Sequence, residues 1–385
     1  MKNLGMKRFL EYIERKKSIL TNEENLEDLF CIKNAPVYMG CTTEDPDEDL
    51  FADMDWGICP DTGLIQLKRR IPLETLYLHQ HNEGCGSVWL DHYESFSKFI
   101  QKYRPQNILE IGGAHGLIAQ DYCRAEQGAR WSIIEPNPTL ASEGNILVIK
   151  GWFDEHFSFD QKVDAVVHSH VLEHVYQPAE FISHVGKFLR VGDKHIFTYP
   201  NMLEMLGRKY TNCLNFEHTV FLTEYFTDYL LLGNGFKILE KEYFRDHSIF
   251  YATEKISEGE AMLPPQNKYT EYKKLFTDFI IYHQELVRDL NDKISKTNHS
   301  VYLFGAHIFS QALINFGLKT EDIVSILDNG VAKQGKRLYG SSLNVESTKV
   351  LEGKGPVNVI LKAGAYNDEI KKDILENINS EVVFW

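Results

Sequence analysis

Between residue 107 and about residue 253, short apolar runs alternate with amphipathic stretches. Ile108, Leu109 and Ile111 belong to the first run; Trp131-Ser-Ile-Ile134, Ile146-Leu-Val-Ile149, Val163-Asp-Ala-Val-Val167 and His195-Ile-Phe-Thr-Tyr199 follow. Runs this continuous are strands buried on both faces, and their alternation with helical patterns predicts a parallel sheet covered by helices. The pattern then changes. Strand candidates at Phe236–Phe244 and Ser248–Glu254 are separated only by Arg245-Asp-His247. Three residues cannot hold a helical crossover, so these two strands predict an antiparallel hairpin.

A parallel sheet finished by such a hairpin is the pattern of the class I methyltransferase fold, a Rossmann-like α/β architecture. Residues 1–30 predict an amphipathic helix, with Phe9, Leu10, Ile13, Ile19 and Leu20 on one side. An acidic loop, Glu44-Asp-Pro-Asp-Glu-Asp49, a short strand at Gly63–Leu67 and a helix over Val88–Ile100 come next. Residues 256–270 predict a linker. A long helix follows, with Leu275, Phe276, Phe279, Ile280, Leu286, Val287, Leu290 and Ile294 at helical spacing. A strand and glycine turn in Val301–His307 and strands at Ile323–Asp328, Val357–Leu361 and Glu381–Trp385 then predict a second Rossmann-like unit. At 385 residues the chain exceeds what one core covers. The expected domains are a small N-terminal lobe (1–98), the methyltransferase-like domain (99–254) and the C-terminal domain (255–385).

The first strand runs into Glu110-Ile-Gly-Gly-Ala-His-Gly116, a glycine turn that opens a helix. Gly112 and Gly116 let the backbone approach a ligand, and the helix offers free N–H groups. Glu110 would repel a pyrophosphate but can receive an ammonium, which tilts the reading from a dinucleotide to S-adenosylmethionine (SAM). Glu135 ends the second strand, where a carboxylate accepts hydrogen bonds from ribose hydroxyls. An ordinary acid before a Pro turn is the alternative, and its place after strand, turn and helix favours ligand binding.

Charge narrows the partners. A net charge of −14 without a Lys/Arg block excludes the basic footprint of a nucleic-acid binder. The N-terminal ten residues are charged and lack the apolar stretch of a signal peptide, and no window has transmembrane length. With six scattered cysteines, the expectation is a cytoplasmic protein with reduced thiols, no membrane partner and a small-molecule substrate.

Chemistry concentrates at the carboxyl end of the sheet. His168, Ser169, His170, Glu173 and His174 crowd the end of the fourth strand. Their spacing lacks an HExxH pattern and no cysteine joins them, so His168 and Ser169 are read as lining the cofactor pocket and no metal is expected. Glu217 and His218, in Asn215-Phe-Glu-His-Thr219, pair a base near neutral pH with a carboxylate that can tune it; a surface loop is the alternative. Tyr199, Asn201, Asn215 and His247 are placed on the acceptor side. Arg245 and Asp246 are read as turn residues. Cys31 and Cys59 would begin two zinc knuckles, but Asn34 and Thr62 stand where each needs its second cysteine.

These motifs resemble the SAM-dependent sugar C-methyltransferases that act on nucleotide-linked deoxy-keto sugars. The likeness covers nearly the whole chain. Cys31, Ala35-Pro-Val37, Cys59 and Gly63–Leu67 are similar to the family's zinc-binding module, and Tyr77–His92, with Ser87, to its cofactor-contacting segment. Leu109–Gly112, Gly116, Glu135 and Glu217-His218 are similar to its methyltransferase domain. Phe304-Gly-Ala-His307 and Asp328-Asn-Gly-Val-Ala-Lys-Gln-Gly-Lys336 look like its C-terminal domain. Asn215 and Phe216 replace the first two residues of the family's Tyr-His-Glu-His block, and Arg245-Asp-His-Ser248 stands for its His-Gly-Gly-Ser.

The resemblance implies a SAM-dependent methyltransferase whose acceptor is a nucleotide-linked sugar, methylated at carbon beside a ketone. His218 would remove the proton with Glu217 in support. An oxygen or nitrogen acceptor is the alternative, followed by a non-catalytic SAM- or nucleotide-binding module. Glu110 and the terminal hairpin disfavour a nicotinamide-dependent oxidoreductase. The C-terminal unit, through Gly305 and Asp328, is expected to act as scaffold and substrate wall.

Overall fold

The computed structural model of the chain describes residues 11–77, 87–260 and 262–385. An N-terminal lobe is built on a three-stranded antiparallel sheet, β1 (Glu27–Pro36), β2 (Phe51–Ile58) and β3 (Ile65–Leu67), in the order β1-β2-β3. Alternation in β2 turns Ala52, Met54 and Trp56 into the core. The helix expected within residues 1–30 is not formed from residue 11 onward. Ile13–Glu14 pairs instead with Arg69–Arg70. The buried Arg15 guanidinium holds this segment extended by donating to the carbonyls of Leu67 (3.3 Å), Thr219 (2.8 Å) and Tyr176 (2.6 Å).

Helix α1 (Ser87–Gln101) leads into the central sheet. Its strands are β4 (Asn107–Ile111), β5 (Arg130–Glu135), β6 (Ile146–Lys150), β7 (Ala165–Ser169), β8 (Lys194–Pro200), β9 (Phe236–Phe244) and β10 (Ser248–Lys255). They lie in the order β9-β10-β8-β7-β4-β5-β6. The β4, β5, β6, β7 and β8 pairings are parallel, and β10 is antiparallel to both neighbours. This is the class I methyltransferase topology. Strand order reverses between β4 and β7, so the crevice for a ligand opens at their carboxyl ends. One face is covered by α1 and α2 (Leu117–Ala125), through Phe96, Phe99, Ile118 and Tyr122. The other meets α3 (Pro178–Phe188) and α4 (Glu224–Gly233), through Phe181, Ile182, Phe226 and Leu230. Helix α1 packs with this sheet, so the boundary expected at residue 98 falls inside an element.

After residues 256–260 and 262–268, which are irregular, α5 (Tyr269–Lys296) crosses to the C-terminal unit. Its strands β11 (Val301–Phe304), β12 (Ile323–Leu327), β13 (Val345–Glu346), β14 (Val357–Leu361) and β15 (Val382–Phe384) form a parallel sheet in the order β13-β12-β11-β14-β15. The N-terminal lobe grips this unit. Cys41–Thr42 pairs with Arg337–Leu338. The Arg337 guanidinium donates to both oxygens of buried Asp49 at 2.7 Å, and Gln311 donates to the carbonyls of Tyr38 (3.0 Å) and Tyr339 (2.9 Å). Among the described residues, no helix is long and apolar enough to cross a membrane.

Candidate cofactor and acceptor site

Strand β4 leaves the sheet through the glycine turn. Gly112 and Gly116 have φ of +72° and +64°, conformations that glycine takes without strain. A Cβ on Gly112 would lie 2.7 Å from Val171 Cγ2, and one on Gly116 2.3 Å from Leu140 Cδ2. The turn is therefore wedged between the segments that follow β7 and β5. Thr139 pins it, donating from Oγ1 to the Ala114 carbonyl (3.1 Å) and meeting His115 Nδ1 at 2.8 Å. Gly116 caps α2, and Gln120 is the first N–H to bond back, to the Gly116 carbonyl at 2.9 Å. The N–H groups of Leu117, Ile118 and Ala119 remain at the open end of the helix, a setting that favours electron-rich ligand groups.

Register fixes which side chains share this end. Glu110 lies opposite Ile133 on β5 and Val167 on β7, so Glu110, Glu135 and Ser169 project from one face. Glu135 is the last residue of its strand, and its Oε1 accepts the Asn137 N–H at 2.9 Å. The Gly151 N–H donates to the Glu135 carbonyl (3.1 Å), which brings the half-exposed Trp152 beside it. Ser169 Oγ is buried with no hydrogen-bond partner, and a buried hydroxyl without one is costly unless a ligand supplies it. A glycine turn, a strand-end carboxylate, an exposed indole and an orphaned hydroxyl fit SAM.

Glu110 differs from the sequence expectation. Its carboxylate is turned under the loop, where a Cβ on Gly113 would lie 2.8 Å from Glu110 Cδ, and its Oε2 accepts the buried Trp131 indole N–H at 2.7 Å. Burial raises its pKa to about 7, against the lowering effect of the indole, with the charge of Glu135 adding to the rise. Ser87 opens α1, but its side chain and residues 78–86 lie outside the described residues.

Parity also sorts two other expected residues. His168 is one residue out of phase with Ser169 and faces α3. Its Nε2 lies 2.9 Å from His195 Nε2, and its ring stacks on Phe197 beneath Phe181. Tyr199 projects from this same face and packs on Phe197 and Tyr251. Both are fully buried, so they build the core on that face and do not line the cofactor or acceptor pocket.

The Asn215–Thr219 loop closes the other half of the crevice. Asn215 Oδ1 accepts the backbone N–H groups of Glu217 and His218, both at 2.8 Å, and its Nδ2 donates to the Asn212 carbonyl at 3.2 Å. Its polar atoms shape the loop, a correction to the acceptor role expected of it. Asn201 likewise caps the helix Met202–Gly207 through the Glu204 N–H (3.3 Å). The carboxylate of Glu217 meets His174, with Oε2 at 3.2 Å from Nδ1, where the sequence suggested His218. Glu173 lies below, its Oε1 at 2.9 Å from His170 Nδ1 and 3.9 Å from His174 Nε2. The His174 and His218 rings meet edge to face at 5.0 Å.

Charge follows from this packing. Burial alone would lower the His174 imidazole, but its hydrogen bond to Glu217 and the charges of Glu173 and Glu217 outweigh burial and raise it. His218 is lowered to about 4, by burial first and then by the neighbouring His174 charge. Protonation is thus favoured at His174 and disfavoured at His218. Tyr77 completes the crevice. Its ring meets Trp152 edge to face at 6.3 Å, and burial, followed by the charges of Glu217, Tyr176, Glu173 and Glu135, raises its phenol.

Residues 81–241 match the family described as a methyltransferase domain, and residues 251–384 match the C-methyltransferase C-terminal domain. The chain is a SAM-dependent methyltransferase. The succession of the two domains supports a C-methyltransferase family. No curated protein sequence matches the methyltransferase. Solved structures of similar fold include the Burkholderia thailandensis 1,6-didemethyltoxoflavin-N1-methyltransferase, at 15% identity over 44% of this chain and 82% of that one, with a TM-score of 0.36. A methyltransferase of Listeria monocytogenes has 15% identity over 43% of this chain and 100% of its own, with a TM-score of 0.35. The N,N-8-amino-8-demethyl-D-riboflavin dimethyltransferase of Streptomyces davawensis has 16% identity over 43% and 55%, with a TM-score of 0.34. These likenesses concern the fold alone.

In the C-terminal unit of the methyltransferase, Asp328 is already engaged. Its carboxylate accepts from the N–H groups of Ala306 and Gly330, both at 2.8 Å, and from Lys333 at 3.0 Å. Nearer the crevice, Gly364 lies against the Tyr210 ring, and Tyr210 donates to Asp246 at the hairpin tip (2.9 Å). Arg245 has a φ of +54° and pairs with Asp91 at 2.7 Å, which fits its reading as a turn residue. Sequence reasoning passed over Trp152 beside Glu135 and the pairing of His174 with Glu217. The aromatic directly after β6 marks the first; the second pairs residues far apart in the chain and left no local mark.

Proposed function

We propose that this methyltransferase methylates carbon beside a keto group of a small, nucleotide-linked sugar, with His218 as the base. The observation that carries the reading is the His174–His218 pair, ring to ring at 5.0 Å with His174 between Glu173 and Glu217, at the carboxyl end of the sheet. The match to a C-methyltransferase C-terminal domain supports it.

The N–H groups at the start of α2, Glu135, Ser169 and Trp152 would hold SAM, with Glu110 bracing the glycine turn from beneath. Bound there, SAM supplies an electrophilic methyl on a sulfonium already disposed to leave. His218 takes the proton from the carbon beside the carbonyl. A base of about 4 is weak for that task unless the carbonyl is polarised, and His174, whose protonation Glu217 and Glu173 favour, is placed to supply positive charge. As negative charge grows on the carbonyl oxygen, the penalty for protonating His218 beside His174 falls. The remaining work is alignment in a site shielded from water.

Mass spectrometry of reactions between SAM and a panel of nucleotide-linked keto sugars tests this. A substrate deuterated beside the ketone should gain one methyl and lose one deuterium. Methylation with the deuterium retained would assign an oxygen or nitrogen acceptor instead.

A further inference from the structure

Three histidines that the methyl-transfer reading does not use converge beside the crevice. His92 comes from α1, His170 from the residue after β7, and His247 from the β9–β10 turn. Each offers a ring nitrogen, and the three nitrogens lie within 4.8 Å of one another. Their ring centroids form a near-equilateral triangle with sides of 5.1, 5.5 and 5.8 Å. Trp89 covers the triangle, 4.8 Å from the His170 and His247 rings and 5.4 Å from His92. Phe244 and Phe250 wall the His92 side.

The cluster is built in the manner of a ligand set. Glu173 Oε1 is 2.9 Å from His170 Nδ1. A carboxylate there fixes the tautomer and leaves Nε2 as the lone-pair nitrogen, the arrangement that orients metal-bound histidines. The Ser248 hydroxyl contacts His170 Nε2 at 2.9 Å and His247 Nδ1 at 2.5 Å, so both nitrogens are drawn to one point. His92 is fully buried, and its Nδ1 has no hydrogen-bond partner.

We propose that His92, His170 and His247 bind one late first-row divalent transition metal ion, Zn²⁺ being the natural occupant, and that Glu173 positions His170 for it. Three neutral imidazoles with one remaining direction suit tetrahedral zinc. Nitrogens bound to one such ion stand about 3.3 Å apart, so binding draws the rings together by about 1 Å or less each, with Ser248 rotating aside. The ion ties α1, the end of β7 and the hairpin tip. The neighbouring Glu173, His174 and His218 group also brings three donor atoms together, but there Glu217 already engages His174 Nδ1.

The full-length chain, stripped with a chelator and free of SAM, is titrated with Zn²⁺ by calorimetry and with Co²⁺ by visible absorbance. One equivalent should bind with a dissociation constant below about 1 μM, and Co²⁺ should give the intense bands of a tetrahedral site. His247→Ala, in the hairpin turn, should weaken Zn²⁺ at least 100-fold, and Glu173→Gln by 10- to 100-fold. Cys31→Ser should bind as the wild type does. Absence of a stoichiometric site in the wild type, or full binding by His247→Ala, overturns the proposal. So does an ion lost on His218→Ala and kept on His247→Ala. No outcome depends on methyl transfer, so failure here is distinct from failure of the methyltransferase reading.

Discussion

Glu110→Gln removes a charge from a place that disfavours it while keeping the shape of the side chain. The carboxyl is 2% exposed, lies under the glycine turn and accepts the Trp131 indole N–H; a Gln carbonyl can do the same. In the folded protein it titrates at about 7, against an ordinary 4.5. Between those values the folded chain holds a proton that the unfolded chain has released. The contribution of this group to stability is therefore fully present below about 4.5 and is lost as pH rises through about 7. At about 1.4 kcal/mol per pH unit, the loss amounts to roughly 3 kcal/mol by pH 8. Urea denaturation of both proteins at pH 5, 6, 7 and 8 isolates it, because every other titrating group is shared. The stability of Glu110→Gln relative to wild type should climb by roughly 3 kcal/mol from pH 5 to pH 8. A difference that stays flat with pH, or one that favours the wild type at pH 8, would refute the placement of an unpaired buried carboxyl beneath this turn.

Three further outcomes follow from the same geometry. Gly116→Ala places a Cβ at a φ of +64° and 2.3 Å from Leu140, so it should cost at least about 1 kcal/mol in thermal stability and weaken SAM binding measured by calorimetry about tenfold. Should it bind SAM as the wild type does, the turn is not the cofactor cradle. His218→Ala should abolish methylation of a keto-sugar acceptor while leaving SAM affinity within about twofold, and near-full turnover would remove His218 from the chemistry. Asp49→Ala strands the buried Arg337 guanidinium and should destabilise the fold by about 3–5 kcal/mol in chemical denaturation.

The central sheet was legible because its strands are buried on both faces and so appear as unbroken apolar runs. The hairpin was legible because three residues leave no alternative. Of the N-terminal sheet only β3 was, within the strand expected at Gly63–Leu67. In β1 the register shifts between Asp28 and Phe30 and again between Ile32 and Ala35, and Asn34 has a φ of +54°; no period of two survives to be read. Within the site, proximity to the strand ends suggested His168 and Tyr199, whereas the parity of β7 and β8 turns both toward the opposite face. Asn215 misled for another reason. Its partners are the backbone N–H groups of Glu217 and His218, which carry no sequence identity. The contact between His174 and Glu217 is a product of topology alone, since neither residue has a neighbour in sequence that marks the other.

The clasp between the N-terminal lobe and the C-terminal unit bears on the order in which the chain assembles. Asp49 and Arg337 are 288 positions apart, and the lobe's Cys41–Thr42 edge is completed by residues that emerge from the ribosome after nearly everything else. Domains generally fold as they are synthesised, the N-terminal ones first. Here the lobe is made before the unit that completes it, and it waits with Asp49 and the flanking edge unsatisfied while the central sheet forms. A nascent chain arrested in residues 256–268 would display that edge to chaperones and proteases, so protease sensitivity of the lobe reports on completion of a unit three hundred residues downstream.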